Sequence, residues 1–173
     1  MKIQVIPAPN PNSLKRCWPW QTYPAPLPDV QKLAHHEAGH IVMFEWLGFS
    51  ESNATITPTG GLAYFGTNPG RATVGPLDES SEITAMAASL FHGGVIAELI
   101  FAGGVWTGPL FYPWASDYQR ANDMLRADFG NHSSAGHAFA QRTALNILSE
   151  RWPRVHEIAK HLVRHGVWPA STL

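Results

Sequence analysis

The run His36-Glu37-Ala38-Gly39-His40 constrains this chain more than any other stretch. Positions four apart in a helix lie just over one turn from each other. Both imidazoles therefore leave the same face, with Cβ atoms about 5–6 Å apart. Two ring nitrogens placed this way reach one tetrahedral zinc at about 2.0–2.1 Å each. Glu37 follows the first of them and leans over the open side of the metal, where a water would bind. With 9 histidines in 173 residues, a chain of this composition meets the pattern by chance only about 0.02 times. The competing reading is a solvated polar face of a helix, and it is the weaker one. His36 and His40 are thus expected to be zinc ligands, with Glu37 as the catalytic base.

Length and charge set the frame around that motif. A chain of 173 residues suits one domain with a single core. A net charge of −1 with no basic run argues against a nucleic-acid partner. Cys17 is the sole cysteine, which excludes an internal disulfide framework and suits a reducing compartment. Residues 1–11 lack the apolar core of a secretory signal, so a cytoplasmic location is expected. Residues 85–106 come nearest to a membrane span, but they hold His92, Glu98 and four glycines. A charge at mid-bilayer costs about 2.5–3.5 kcal/mol, so this stretch is expected to be a buried core helix and no membrane span is expected.

Along the chain, residues 1–28 carry prolines at 7, 9, 11, 19, 24, 26 and 28, which forbids helix and favours extended backbone. Trp18, Trp20 and Tyr23 should fasten this arm to the domain or to a partner. Cys17 lies in the arm; a thiolate there has the chemistry to take the open zinc position, although a simply packed cysteine is far more common. From residue 29 to 173 a single domain is expected. Asp29 caps the first helix, which Gly48 ends. Gly39, between the two histidines, implies close packing at that point. Residues 54–57 and 62–65 read as a hairpin about a Gly60-Gly61 turn, with Pro58 confining its strand to an edge or a strand end. An edge strand beside a metal can accept an extended peptide by backbone pairing. Thr55, Ile56 and Thr57 are the substrate-binding residues on that reading, against an equally weighted reading of a purely structural hairpin.

Residues 68–76 form a glycine- and proline-punctuated loop. A second long helix starts at Asp78 or Ser80 and runs to about Ala102, with Gly93-Gly94 implying tight contact against the zinc helix. Glu98 lies in an apolar part of it, where a carboxylate is normally paired or ligating; spacing alone favours Glu98 as the third ligand. The aromatic loop 103–116 walls a substrate pocket or packs on the domain. Three further helices are expected near 117–130, 134–152 and 153–165. His132, His137, His156, His161 and His165 read as surface or capping histidines. The fold class is α+β and mostly helical, a zincin-like helical domain with a small hairpin beside the zinc helix.

These residues resemble a known family. His36-Glu-Ala-Gly-His40 is similar to the zinc helix of the FtsH-type membrane AAA metallopeptidases. Thr55-Ile-Thr-Pro-Thr-Gly-Gly-Leu62 resembles that family's edge strand and turn, and Gly93-Gly94-Val-Ile-Ala-Glu98 its G-G-R-x-A-E element. Thr107-Gly108 with Ser116-Asp117 resembles its T-G-A-S-N-D segment, Phe129-Gly130 its F-G, and residues 144–162 its closing helical pair. The resemblance spans roughly residues 29–168 and implies Asp117 as the third zinc ligand; a short side chain at a helix start is firmly held, and Ser116 beside it can cap that helix. Glu98 then becomes the carboxylate that orients a ligand histidine, and Asp123 stays in competition. Val95 replaces the family's arginine, and about five extra residues separate Thr107-Gly108 from Ser116-Asp117. No G-x-x-x-x-G-K-[ST] phosphate loop occurs in the sequence, so neither ATP nor the family's unfolding module is expected.

The expected function is an ATP-independent zinc metallopeptidase that cleaves extended or unfolded polypeptides, with Glu37 activating a zinc-held water. Zn2+ is the expected cofactor and a peptide or unfolded protein the expected partner; association of the chain with copies of itself stays open. The alternative is a catalytically silent module on the same fold that binds a peptide or scaffolds a partner. Retention of Glu37 argues against that alternative, because a structural site needs no base.

Overall fold

The computed structural model describes residues 18–49, 52–64 and 81–169, with backbone alone for 81–83. Cys17, the loop 68–76 and the two candidate caps Asp78 and Ser80 lie outside the described residues. The architecture is α+β and mostly helical. Its first long element is helix α1, Val30–Trp46. Asp29 caps it: extended backbone lets the carboxylate accept from the amides of Gln31 at 2.8 Å and Lys32 at 3.2 Å. Those are two of the donors that the first helical turn leaves without partners. At the other end Gly48 takes a left-handed φ of 83°, a conformation that glycine adopts without a Cβ penalty.

Helix α2, Ser81–Phe101, lies directly against α1. Residues 92–98 of α2 are buried on every side, which explains why the sequence there shows no polar face. The stretch Thr84–Phe101 is long and apolar enough to cross a membrane, but 67% of it is buried inside this fold. The two glycine sites anticipated as close contacts meet each other. A Cβ on Gly39 would run into the carbonyl of Gly93 and lie 2.6 Å from the Ala97 Cβ, and one on Gly93 would lie 2.8 Å from the Met43 Cγ. The backbones of α1 and α2 therefore approach at the level of the histidines, which explains glycines that are otherwise unfavourable in helices by about 1 kcal/mol each.

Helices α3 (Ser116–Phe129), α4 (Ser133–Glu150) and α5 (Trp152–His165) complete the bundle. The main core is built from Ile41, Val42, Met43, Ile96, Ile147, Leu148, Ile158 and Leu162; a second cluster joins Ala85, Leu125 and Phe139 of α2, α3 and α4. Val155, Ile158, Ala159 and Leu162 give α5 the spacing of one apolar face. The arm contributes strand β1, Gln21–Thr22, which pairs in parallel with β4, Leu110–Phe111. Trp18 packs on Trp106, and Trp20 packs on Phe111, Tyr118 and His137. The described part of the arm is thus fastened to the domain itself.

The hairpin departs from expectation in two ways. Its strands are β2, Asn53–Thr57, and β3, Gly60–Tyr64. The turn falls on Pro58-Thr59, and Gly60-Gly61 open the second strand. More consequentially, β2 is not an edge. Strand β5, Val167–Trp168, pairs with its other side, and the Ile56 amide donates to the Gly166 carbonyl at 2.8 Å. The sheet order is β3-β2-β5, so Thr55, Ile56 and Thr57 belong to the middle strand. The outer strands, among the described residues, are β3 and β5, and β3 is the one that lines the cleft described below.

Candidate metal centre

His36 and His40 leave α1 towards α3, where Asp117 sits in the first helical turn. His40 Nε2 is 3.2 Å from His36 Nε2 and 3.1 Å from Asp117 Oδ2, and His36 Nε2 is 3.3 Å from the same oxygen. Ligand atoms of a tetrahedral zinc at about 2.0–2.1 Å are about 3.3 Å from one another. The three atoms therefore have the spacing of a ligand set, and they form one group capable of holding a metal.

The remaining ring nitrogens decide what those atoms are. His36 Nδ1 faces Glu98 Oε1 at 2.6 Å, and His40 Nδ1 faces the Leu90 carbonyl at 2.9 Å. A carboxylate and a carbonyl only accept, so both Nδ1 atoms donate. In the neutral rings both Nε2 atoms then carry lone pairs. Two imidazole lone pairs and a carboxylate oxygen converge with no donor between them. Such a cluster attracts a cation. Left to protons alone, it charges: burial disfavours a charged His36, but Asp117, Glu98 and Glu37 outweigh it and draw its pKa up to about 10. Burial likewise works against an ionised Asp117, yet His40 and His36 hold its carboxyl well below the usual range.

Glu98 is placed to orient His36 and not to ligate, because it touches the nitrogen on the far side of the ring from the cluster. It stays ionised: burial pushes its pKa up, but the hydrogen bond and charge of His36, with Tyr23 and Lys32, bring it below the ordinary value. Asp123 is not in the group. Ser116 does not cap α3; it is the first helical residue, and the cap position is Ala115, with no side-chain bond. Asp117 is held instead by its place in the first turn, where the helix dipole favours a negative charge, and by the loop before it. Gln141 fastens that loop by accepting from Trp106 Nε1 and the Leu110 amide and donating to the Leu110 carbonyl.

Glu37 is 4% exposed and lines the same cleft as the triad, a space of about 350 Å³. Burial pushes its pKa up, against the pull of His36 and His40. Two glycines make room for this constellation. A Cβ on Gly61 of β3 would lie 2.5 Å from Glu37 Oε1, and one on Gly94 of α2 would lie 2.6 Å from His36 Cδ2. The cleft is walled by Leu62 and Ala63 of β3, by Phe44 and Phe91, and by Trp114 of the aromatic loop. A larger cavity of about 650 Å³, bounded partly by Ile56 and Thr57, adjoins it and shares Pro26, Leu33 and Glu98 with it. Thr55 lines neither.

No protein-family model and no curated protein matches the chain.

Sequence reasoning missed three features of this region. His137, expected to be a surface or capping histidine, is fully buried and bonded to His92. Tyr112, unremarkable in sequence, closes that network on the other side of His92. Tyr23 of the arm reaches Glu98 at 2.8 Å. A polar residue on an apolar helix face, as at 92 and 137, was the signal available for the first two.

Proposed function

We propose that this chain is a zinc-dependent peptide hydrolase of zincin-like architecture, related to FtsH-type peptidase domains and acting without ATP. The observation that carries the reading is the convergence of two imidazole lone pairs and the Asp117 carboxylate beside the buried Glu37. His36, His40 and Asp117 would hold the metal, which supplies Lewis acidity and lowers the pKa of a coordinated water. Glu37 is the proton acceptor and later the donor to the leaving amine. Its environment suits that work, since burial brings a carboxylate towards neutral pH, where base strength and ionisation are both useful.

Substrate access follows from the sheet. β3 ends the sheet along the cleft, so an extended peptide adding there would pass Glu37 and the triad. Leu62 and Tyr64 are exposed on that strand, each about half. This moves the proposed substrate contact from Thr55–Thr57 to residues 60–64. Stably folded proteins present no free extended segment, so cleavage would depend on their local opening.

The test is hydrolysis of an unfolded protein by zinc-loaded chain, with and without a chelator. Cleavage that disappears with the chelator and returns with zinc supports the reading. Zinc binding with no cleavage of any unfolded substrate contradicts it and favours the silent binding module.

A further inference from the structure

The carboxylate of Glu98 fixes His36 through one oxygen, so what fixes the other oxygen matters to the whole centre. Glu98 Oε2 faces two groups. The Lys32 Nζ is 3.7 Å away, beyond hydrogen-bond reach, and supplies charge without direction. The Tyr23 hydroxyl donates at 2.8 Å. A phenol on two torsions is far stiffer than a lysine stem, and this one is clamped. The Tyr23 amide donates to the Phe111 carbonyl at 3.0 Å, the Tyr23 carbonyl accepts from Trp114 Nε1 at 3.2 Å, and the ring meets Tyr112 edge-on at 6.3 Å. Phe111, Tyr112 and Trp114 all belong to the segment between α2 and α3 that leads into Asp117.

We infer that Tyr23 is a positioning residue of the metal centre, joining the carboxylate that orients His36 to the segment that leads into α3 and Asp117. Through it the arm completes the centre as well as covering the core. The inference rests on the reading that His36, His40 and Asp117 hold a metal. The competing view makes Tyr23 a mere anchor of the arm.

Tyr23→Phe keeps the ring and both backbone bonds and removes only the hydroxyl. Three measurements separate the views: zinc affinity by chelator competition, the exchange rate of the His36 Nδ1 proton in metal-free protein by NMR, and the melting temperature of metal-free protein. The expected result is a loss of about 10-fold in zinc affinity, at the lower end of what an orienting partner contributes. Faster exchange of the Nδ1 proton and a nearly unchanged metal-free melting temperature should accompany it. In a Glu98→Gln background the same substitution should have no further effect on affinity. Unchanged affinity and exchange overturn the inference, as does an equal loss in both backgrounds or a loss matched by a large fall in metal-free stability. If the unsubstituted chain binds no zinc, the metal reading fails. The proton exchange rate still decides whether Tyr23 steadies the His36 ring.

Discussion

Two pairs of histidines lie close together in this fold and differ in one respect that matters. His36 and His40 point their Nε2 lone pairs at each other and at Asp117. His92 and His137 are also buried and bonded, at 2.9 Å, yet every lone pair there meets a donor. Asn122 Oδ1 accepts from His137 Nε2, so His137 Nδ1 accepts from His92 Nε2, and His92 Nδ1 accepts from the Tyr112 hydroxyl. The chain of donors runs one way and closes with all groups neutral. Burial then depresses the pKa of His137 to about 3, and that of His92 well below normal. Burial does not make a histidine pair a metal site. Convergence of unopposed lone pairs is what makes His36, His40 and Asp117 a group that could hold one.

The largest effect should come from removing one of the converging acceptors. Asp117→Asn should nearly abolish zinc binding, measured by chelator competition; intact affinity would make the first cluster no different from the second. Glu37→Gln preserves the shape of the cleft and removes its proton acceptor. Hydrolysis of unfolded protein should fall by about 10²-fold or more, with zinc content unchanged by metal analysis. Glu98→Gln loses the charge behind His36 and should weaken zinc by about 10–100-fold, a smaller effect than that of Asp117. His92→Leu should leave zinc affinity nearly as it was. It strands the Tyr112 hydroxyl and His137 Nδ1 in the core and should lower stability by about 1–3 kcal/mol, read by thermal or denaturant unfolding.

Local chemistry made much of this fold legible in sequence. Asp29 and Gly48 bracket α1, and Gly130 and Gly166 close α3 and α5 with positive φ angles, because caps act within a few residues of the ends they mark. The i, i+4 spacing announced His36 and His40 for the same reason. What escaped was non-local. β5 is two residues long, too short for any pattern, yet its pairing with β2 makes β2 a central strand. Tyr23 and Glu98 are 75 positions apart, and no periodicity joins them. His137 looked like a surface or capping residue because nothing near it in sequence declares His92 and Asn122 as partners. The choice between Glu98 and Asp117 likewise needed the far side of the His36 ring, which spacing along α1 and α2 does not contain.

The central claim is that the three converging acceptors are a metal site and the neighbouring histidine network is not. Anomalous diffraction at the zinc absorption edge, from crystals grown with zinc, tests it most directly. The account predicts one strong peak per chain, lying between His36 Nε2, His40 Nε2 and Asp117 Oδ2. No peak there, or a peak between His92 and His137, would contradict it.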